Sequence, residues 1–287
     1  MALPLWQTVL IAVLTLLLML GMGASLTLDD LDEVRRQPVP IAVGLGSQFV
    51  WMPAVAWFAA VQLALPDAYA VGLILMACTG GGNASNMLTW LGDADIALSL
   101  AMTTVSTLAS VLWMPLLLSW WAGPLVAGTA LAIPASSVAV TMALMVVPVP
   151  AGMMLRRRRP DRADAVVRWG KRAGAALLFV LVVGSLPDHL ASIRTAPPGV
   201  LLAAGAVCGT GMALGGLGAA LARLGPSQRL TVALETGVQN LPVALARLAA
   251  SFPAESQADL QRVPLLYSAT ALVLGSLVVG HHRLSAR

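Results

Sequence analysis

The sequence predicts an all-α, polytopic membrane protein, and three observations carry that prediction. Hydrophobic residues make up 58% of the 287 residues, charged residues only 10%, and the mean hydropathy is +0.84. Soluble domains carry about 25% charged residues, so a chain this poor in charge cannot solvate a globular surface. The apolar residues gather in nine stretches, and the basic residues collect on alternate links between them. A single membrane domain over 1–287 follows, with four spans in 1–121 and five in 122–287.

The first stretch, Leu5 to Ser25, lacks a basic leading region and is expected to be a retained span rather than a signal peptide. Val39 to Leu65, Ala68 to Leu91 and Ile96 to Trp121 complete the first half. The second half comprises Ala130 to Leu155, Ala173 to Leu186, Gly199 to Leu221, Leu230 to Ala250 and Val263 to Gly280. A helix needs about 20 apolar residues to cross the bilayer, and tilt accommodates the longer stretches. The sixth is short and must borrow from Val166 to Trp169.

Orientation follows from charge. With the N-terminus outside, Arg35, Arg36, the Arg156–Arg159 run, Arg162, Arg168, Lys171, Arg172, Arg223, Arg229, Arg283 and Arg287 fall inside. Only Arg194 and Arg262 then lie in outer links, and Arg247 sits near the outer end of the eighth span. Short cytoplasmic links carry the excess of Lys and Arg, so this arrangement puts the C-terminus in the cytoplasm and the chain in the inner membrane. The net charge of +4 is thereby assigned to topology, not to nucleic acid.

Glu235 is the one carboxylate expected well inside a span, where a carboxylate needs a partner or a wet cavity. It opens a polar run, Glu235-Thr236-Gly237-Val238-Gln239-Asn240, followed by Pro242. A second run, Thr79-Gly80-Gly81-Gly82-Asn83-Ala84-Ser85-Asn86, interrupts the third span. The third and eighth spans run in opposite directions, so matching breaks in them are what an inverted repeat produces. Unwound backbone survives at membrane depth only when buried in protein or lining a cavity. Its carbonyls, with Ser, Thr, Asn and Gln oxygens, suit a hard cation such as sodium, and half-helix N-termini suit an anion.

Ser99, Thr103, Ser106 and Thr107 lie near one face of the fourth span, facing Ser85 and Asn86. Ser99 and Thr103 are assigned to ligation. Ser106 and Thr107 are assigned to hydrogen bonds with their own helix or a neighbour. Gly209, Gly211, Gly215, Gly216 and Gly218 lie within a span with no preceding strand, so they are read as helix packing and not as a nucleotide loop. Cys78 and Cys208 are read as small packing residues.

These residues resemble the bile acid:sodium symporter family. The resemblance runs through Gly21–Leu31, Gln48–Pro53, Gly81 with Ala84–Thr89, Ala97–Ser99, Met102–Leu108 and Glu235–Asn240, in order across nearly the whole chain. It implies an inverted-repeat fold with a core and a panel domain, in which two broken helices cross. It also implies that the ten-span form of bacterial members has lost its first helix here. By position, the resemblance implies a first sodium site at Ser85, Asn86, Ser99, Thr103 and Glu235. A second is implied at Gln48, Glu235 and Gln239 with the backbone oxygens of Thr236 and Val238, and substrate near Asn83 and Asn240. This chain departs from the family where Gly80 replaces a usual proline and Asn83 a usual threonine. Pro242 closely follows the second motif, and Tyr267, Ser268 and Thr270 stand where some bacterial members place a histidine.

The function expected is sodium-coupled import of an organic anion, with sodium, the anion and the lipid bilayer as partners and no enzymatic activity. Proton coupling through Glu235, an arsenite-type exporter and a non-transporting membrane sensor stay open as alternatives.

Overall fold

A computed structural model describes residues 13, 16–17, 19–25, 28–129, 147–183, 197–252 and 254–285. Most of the first and fifth expected spans, and the end of the sixth, lie outside the described residues. The described chain is helical apart from turns and one isolated antiparallel bridge between Gly81 and Gln239.

In chain order the helices are α1 (Leu28–Arg36), α2 (Pro38–Gly46), α3 (Met52–Gln62), α4 (Asp67–Ala77), α5 (Asn83–Leu91) and α6 (Ile96–Trp121). They continue with α7 (Gly123–Val126), α8 (Pro148–Arg158), α9 (Pro160–Val183), α10 (Pro198–Leu221), α11 (Pro226–Gly237), α12 (Leu241–Ser251) and α13 (Ala254–Ser285). Three described helices are long and apolar enough to cross a membrane: Pro38–Gln62, Pro198–Leu221 and Asp259–Ser285. The bent α6 makes a fourth if it is one span. Its Pro115 has no N–H to continue the helical ladder, which is a standard cause of a bend.

The third and eighth expected spans are each two half-helices, α4 with α5 and α11 with α12. The 11 residues of α4 extend only about 16 Å, roughly half a bilayer core of about 30 Å. Between α4 and α5 the chain turns at Gly80, whose φ of +75° is closed to a proline ring. That conformation accounts for a glycine at the position where the resemblance implied proline. Pro242 falls in the first turn of α12, where its missing N–H is no loss.

The second span is not uniform. A π-helical turn, Ser47–Trp51, joins α2 to α3, with the Met52 N–H bonded to the Ser47 carbonyl. Pro53 cannot supply the next ladder bond, and the turn swings Gln48 into the protein interior, 0% exposed. Residues 28–36, expected to link the first two spans, form α1, with Arg35 and Arg36 in its last turn.

The breaks are held deep by α10. A Cβ on Gly215 would lie 2.6 Å from Thr236 Oγ1 and 3.0 Å from the Val232 carbonyl, and one on Gly237 would lie 2.9 Å from the Cys208 carbonyl. Gly211 and Gly215 of α10 therefore serve close helix approach, as expected, whereas Gly209 and Gly216 have room for a Cβ at ordinary contact distance. Both cysteines are free and buried. At one end of the bundle, Arg283 pairs with Asp93, Gln37 donates to Asp95, and Gln228 donates to Gln37. At the other, Arg262 donates to Tyr69 Oη at 3.0 Å, and the α3–α4 loop meets the start of α10 at Gly199.

Candidate functional site

Two breaks in helices free backbone groups that must be paired where water is excluded. Here they pair with each other. The Asn240 N–H donates to the Gly80 carbonyl at 3.0 Å, next to the Gly81–Gln239 bridge. Ser85 closes the first turn of α5, its hydroxyl accepting from the Gly82 N–H at 3.1 Å and donating to the Gly82 carbonyl at 2.6 Å. Asn240 Oδ1 accepts from the Val243 N–H at 3.4 Å and begins α12. The N-termini of α5 and α12 thus converge on one crossing, and a Cβ on Gly82 would lie 2.8 Å from Asn240 Cγ.

Glu235, on the last turns of α11, is 0% exposed. Ser99 Oγ donates to Glu235 Oε1 at 2.6 Å, and Thr103 Oγ1 donates to Glu235 Oε2 at 3.0 Å. The same two hydroxyls lie 2.7 Å and 2.9 Å from Asn86 Oδ1. Asn86, Ser99, Thr103 and Glu235 therefore form one knot of oxygens, with Ser85 at its edge on the turn that starts α5. None of the ion pairs among the described residues includes Glu235. A buried carboxylate held only by neutral hydroxyls lacks a counter-charge. Hydroxyls rotate, so Ser99 and Thr103 can turn lone pairs toward a cation as readily as they now offer protons.

Across the carboxylate lies a second group. Gln48 Nε2 donates to the Glu235 carbonyl at 2.7 Å, while Gln48 Oε1 is buried with no donor. Gln239 Nε2 donates to the Thr236 carbonyl at 2.8 Å, and Gln239 Oε1 accepts from Thr79 Oγ1 at 3.2 Å. Val238 stands in extended backbone just past α11. An orphaned buried amide oxygen beside a carboxylate and unwound carbonyls fits a hard cation, because each of these groups offers oxygen. Gly81 has no room for a side chain, since an added Cβ would collide with Glu235 Oε2.

Of the residues assigned to substrate, Asn240 packs at the crossing and donates to the Gly81 carbonyl at 3.4 Å. Asn83 opens α5 and is exposed. Ser106 donates to the Thr103 carbonyl, the within-helix bond expected of it. Sequence reasoning missed Thr79 and Tyr267 as supports of the break. Tyr267 was read only as standing where a histidine was expected, and its hydroxyl donates to the Gly237 carbonyl. A polar residue on an apolar helix was the available signal, but nothing in the sequence paired it with residue 237.

The Sodium Bile acid symporter family matches residues 12–192, which include the first break and stop before the second. Individual relatives extend the similarity over both. The chain is 33% identical over 276 residues to a mouse (Mus musculus) sodium-dependent organic anion transporter, covering 96% of this chain and 74% of the relative. It is 32% identical over 283 residues to the ileal sodium/bile acid cotransporter of Oryctolagus cuniculus, covering 96% and 80%. Identity to the human (Homo sapiens) sodium/bile acid cotransporter 4 is 31% over 286 residues, covering 93% and 63%. Likeness that persists from the first break through the second, at these lengths, makes the chain a member of the sodium bile acid symporter family.

Proposed function

We propose that the protein is a sodium-coupled carrier of an organic anion. The observation that carries this reading is Glu235, a fully buried carboxylate without a cationic partner, surrounded by neutral oxygens at the crossing of two broken helices. Relatives named as sodium-dependent transporters of organic anions and bile acids support the choice of ion and cargo class.

Two sodium ions bind in this reading. One takes Ser85, Asn86, Ser99, Thr103 and Glu235, and the other Gln48, Glu235 and Gln239 with the backbone oxygens of Thr236 and Val238. Together they neutralise the shared acid and hold the unwound peptides in place, and the anion approaches the crossing past Asn83 and Asn240, where the half-helix N-termini converge. A nine-span chain, with its N-terminus outside and C-terminus in the cytoplasm of an inner membrane, then alternates access by moving its core against its panel.

Reconstituted vesicles test this. An inward sodium gradient drives uptake of a labelled carboxylate such as cholate, and potassium replacing sodium at fixed pH abolishes it. Uptake that persists in potassium and follows a proton gradient assigns Glu235 to proton coupling. Sodium-dependent binding with no uptake makes the protein a sensor.

A further inference from the structure

The described residues contain a second fully buried charge, which the sodium-binding groups do not touch. Arg247 lies on α12 and is 1% exposed. Its Nη2 donates to Ser110 Oγ at 3.0 Å, while Nε and Nη1 are buried with no partner. None of the ion pairs among the described residues includes it. A guanidinium cannot shed its charge as a lysine can, so burial leaves it needing an anion. A lone hydroxyl does not supply one.

Its placement relates it to the crossing. Arg247 is seven residues beyond Asn240, two helical turns and about 10 Å along α12. On α6, Ser99, Thr103, Ser106 and Ser110 follow the spacing of a single helical face. Ser99 and Thr103 hold Glu235. Ser106 Oγ lies 3.1 Å from where a Gly80 Cβ would be. Ser110 reaches Arg247. One row of hydroxyls therefore runs from the buried acid, past the crossing, to the buried base.

We propose that Arg247, with Ser110, forms the subsite that takes the carboxylate group of the transported anion. The proposal rests on the organic-anion reading and adds the residue that recognises the charge. The donors left over on the guanidinium suit a planar carboxylate, and such charge-assisted bonds are the strong ones. Since Arg247 is 1% exposed, carboxylate entry requires the side chains that cover it to part.

The test uses the purified full chain in detergent, in fixed sodium, with thermal unfolding as the readout. Benzoate and cholate are titrated, with their neutral methyl esters and choline chloride as separate arms. The expected result is stabilisation by the carboxylates, little by the esters and little by added chloride. Arg247→Gln and Ser110→Ala weaken carboxylate affinity, the former about ten- to hundredfold, and Arg247→Lys weakens it less than Arg247→Gln. Equal protection of Arg247→Gln and parent by carboxylate overturns the subsite while leaving sodium-coupled transport standing. A parallel melt of the parent with sodium replaced by potassium separates the two readings: no difference between the salts overturns the transport reading instead. Chloride protecting as well as benzoate makes the site one for inorganic anions and overturns the cargo assignment. Should Arg247→Gln fail to fold, Ser110→Ala and Arg247→Met decide: unchanged carboxylate affinity in both rejects the proposal.

Discussion

Tyr267, on α13, donates its hydroxyl to the carbonyl oxygen of Gly237 at 2.8 Å, joining the last helix to the break in α11–α12. That carbonyl belongs to a residue whose helix has just ended, and Cys208 Sγ offers it a second, longer contact at 3.4 Å. The break is thus fastened from two helices at once.

Tyr267→Phe keeps the ring and removes the donor. Leaving the Gly237 carbonyl with only the thiol costs about 1–3 kcal/mol, as expected for an under-satisfied buried acceptor. Thermal unfolding of purified parent and variant measures it. A variant as stable as the parent would show that the bond is not needed.

Glu235→Gln and Gln239→Ala are each expected to abolish stabilisation by sodium while leaving the protein inserted. Each removes oxygen from a group that binds the ion only in the folded state, so the linkage to stability is lost. Melting curves in sodium and in potassium provide the comparison. Sodium protection equal to the parent in both variants rules out the ligand assignment.

In the two-site reading proposed above, Ser99 and Thr103 serve one cation and Gln48 the other, with Glu235 shared. Thr103→Val deletes an oxygen at nearly constant shape, and Ser99→Ala added to it brings little further loss of sodium affinity, since a site is emptied once. Adding Gln48→Ala to either brings a substantial further loss. Sodium titrations in detergent read this out, and simple additivity across the three positions would dissolve the division into two sites.

Gly81→Ala places a methyl group against Glu235 Oε2 and within 3.3 Å of Gln48 Nε2. The expected result is loss of sodium-dependent stabilisation, with an overpacking cost of about 1–3 kcal/mol. Gly46→Ala is the control, because an added Cβ there meets nothing within 4 Å. Comparable sodium responses in the two variants would mean that the crossing yields to the methyl.

Much of the site was legible from composition and order. Glu235 declares itself because a carboxylate in an apolar stretch demands an explanation, and Ser99 and Thr103 follow from helical spacing beside a glycine-rich break. Gln48 could be placed only by resemblance, because the π turn that buries it depends on Pro53 and on packing against α10 and α11. Arg247 was read only as an exception to the charge pattern. That no ion pair among the described residues includes it is a three-dimensional fact, which the order of residues does not encode. Helix α1 was lost to its charges, which resemble those of a link.

The Gly81–Gln239 bridge also bears on how the chain is made. Thr79 and Gln239, which meet there, are 160 residues apart. At 5–20 residues per second the second partner emerges roughly 8–32 s after the first. Until then the nascent Gly80 carbonyl has no Asn240 N–H to meet, and the first break must wait with its backbone hydrated or sheltered by the insertion machinery. The crossing is therefore a late event in biogenesis, and truncation before α11 leaves the Gly80 carbonyl without the Asn240 N–H that pairs with it.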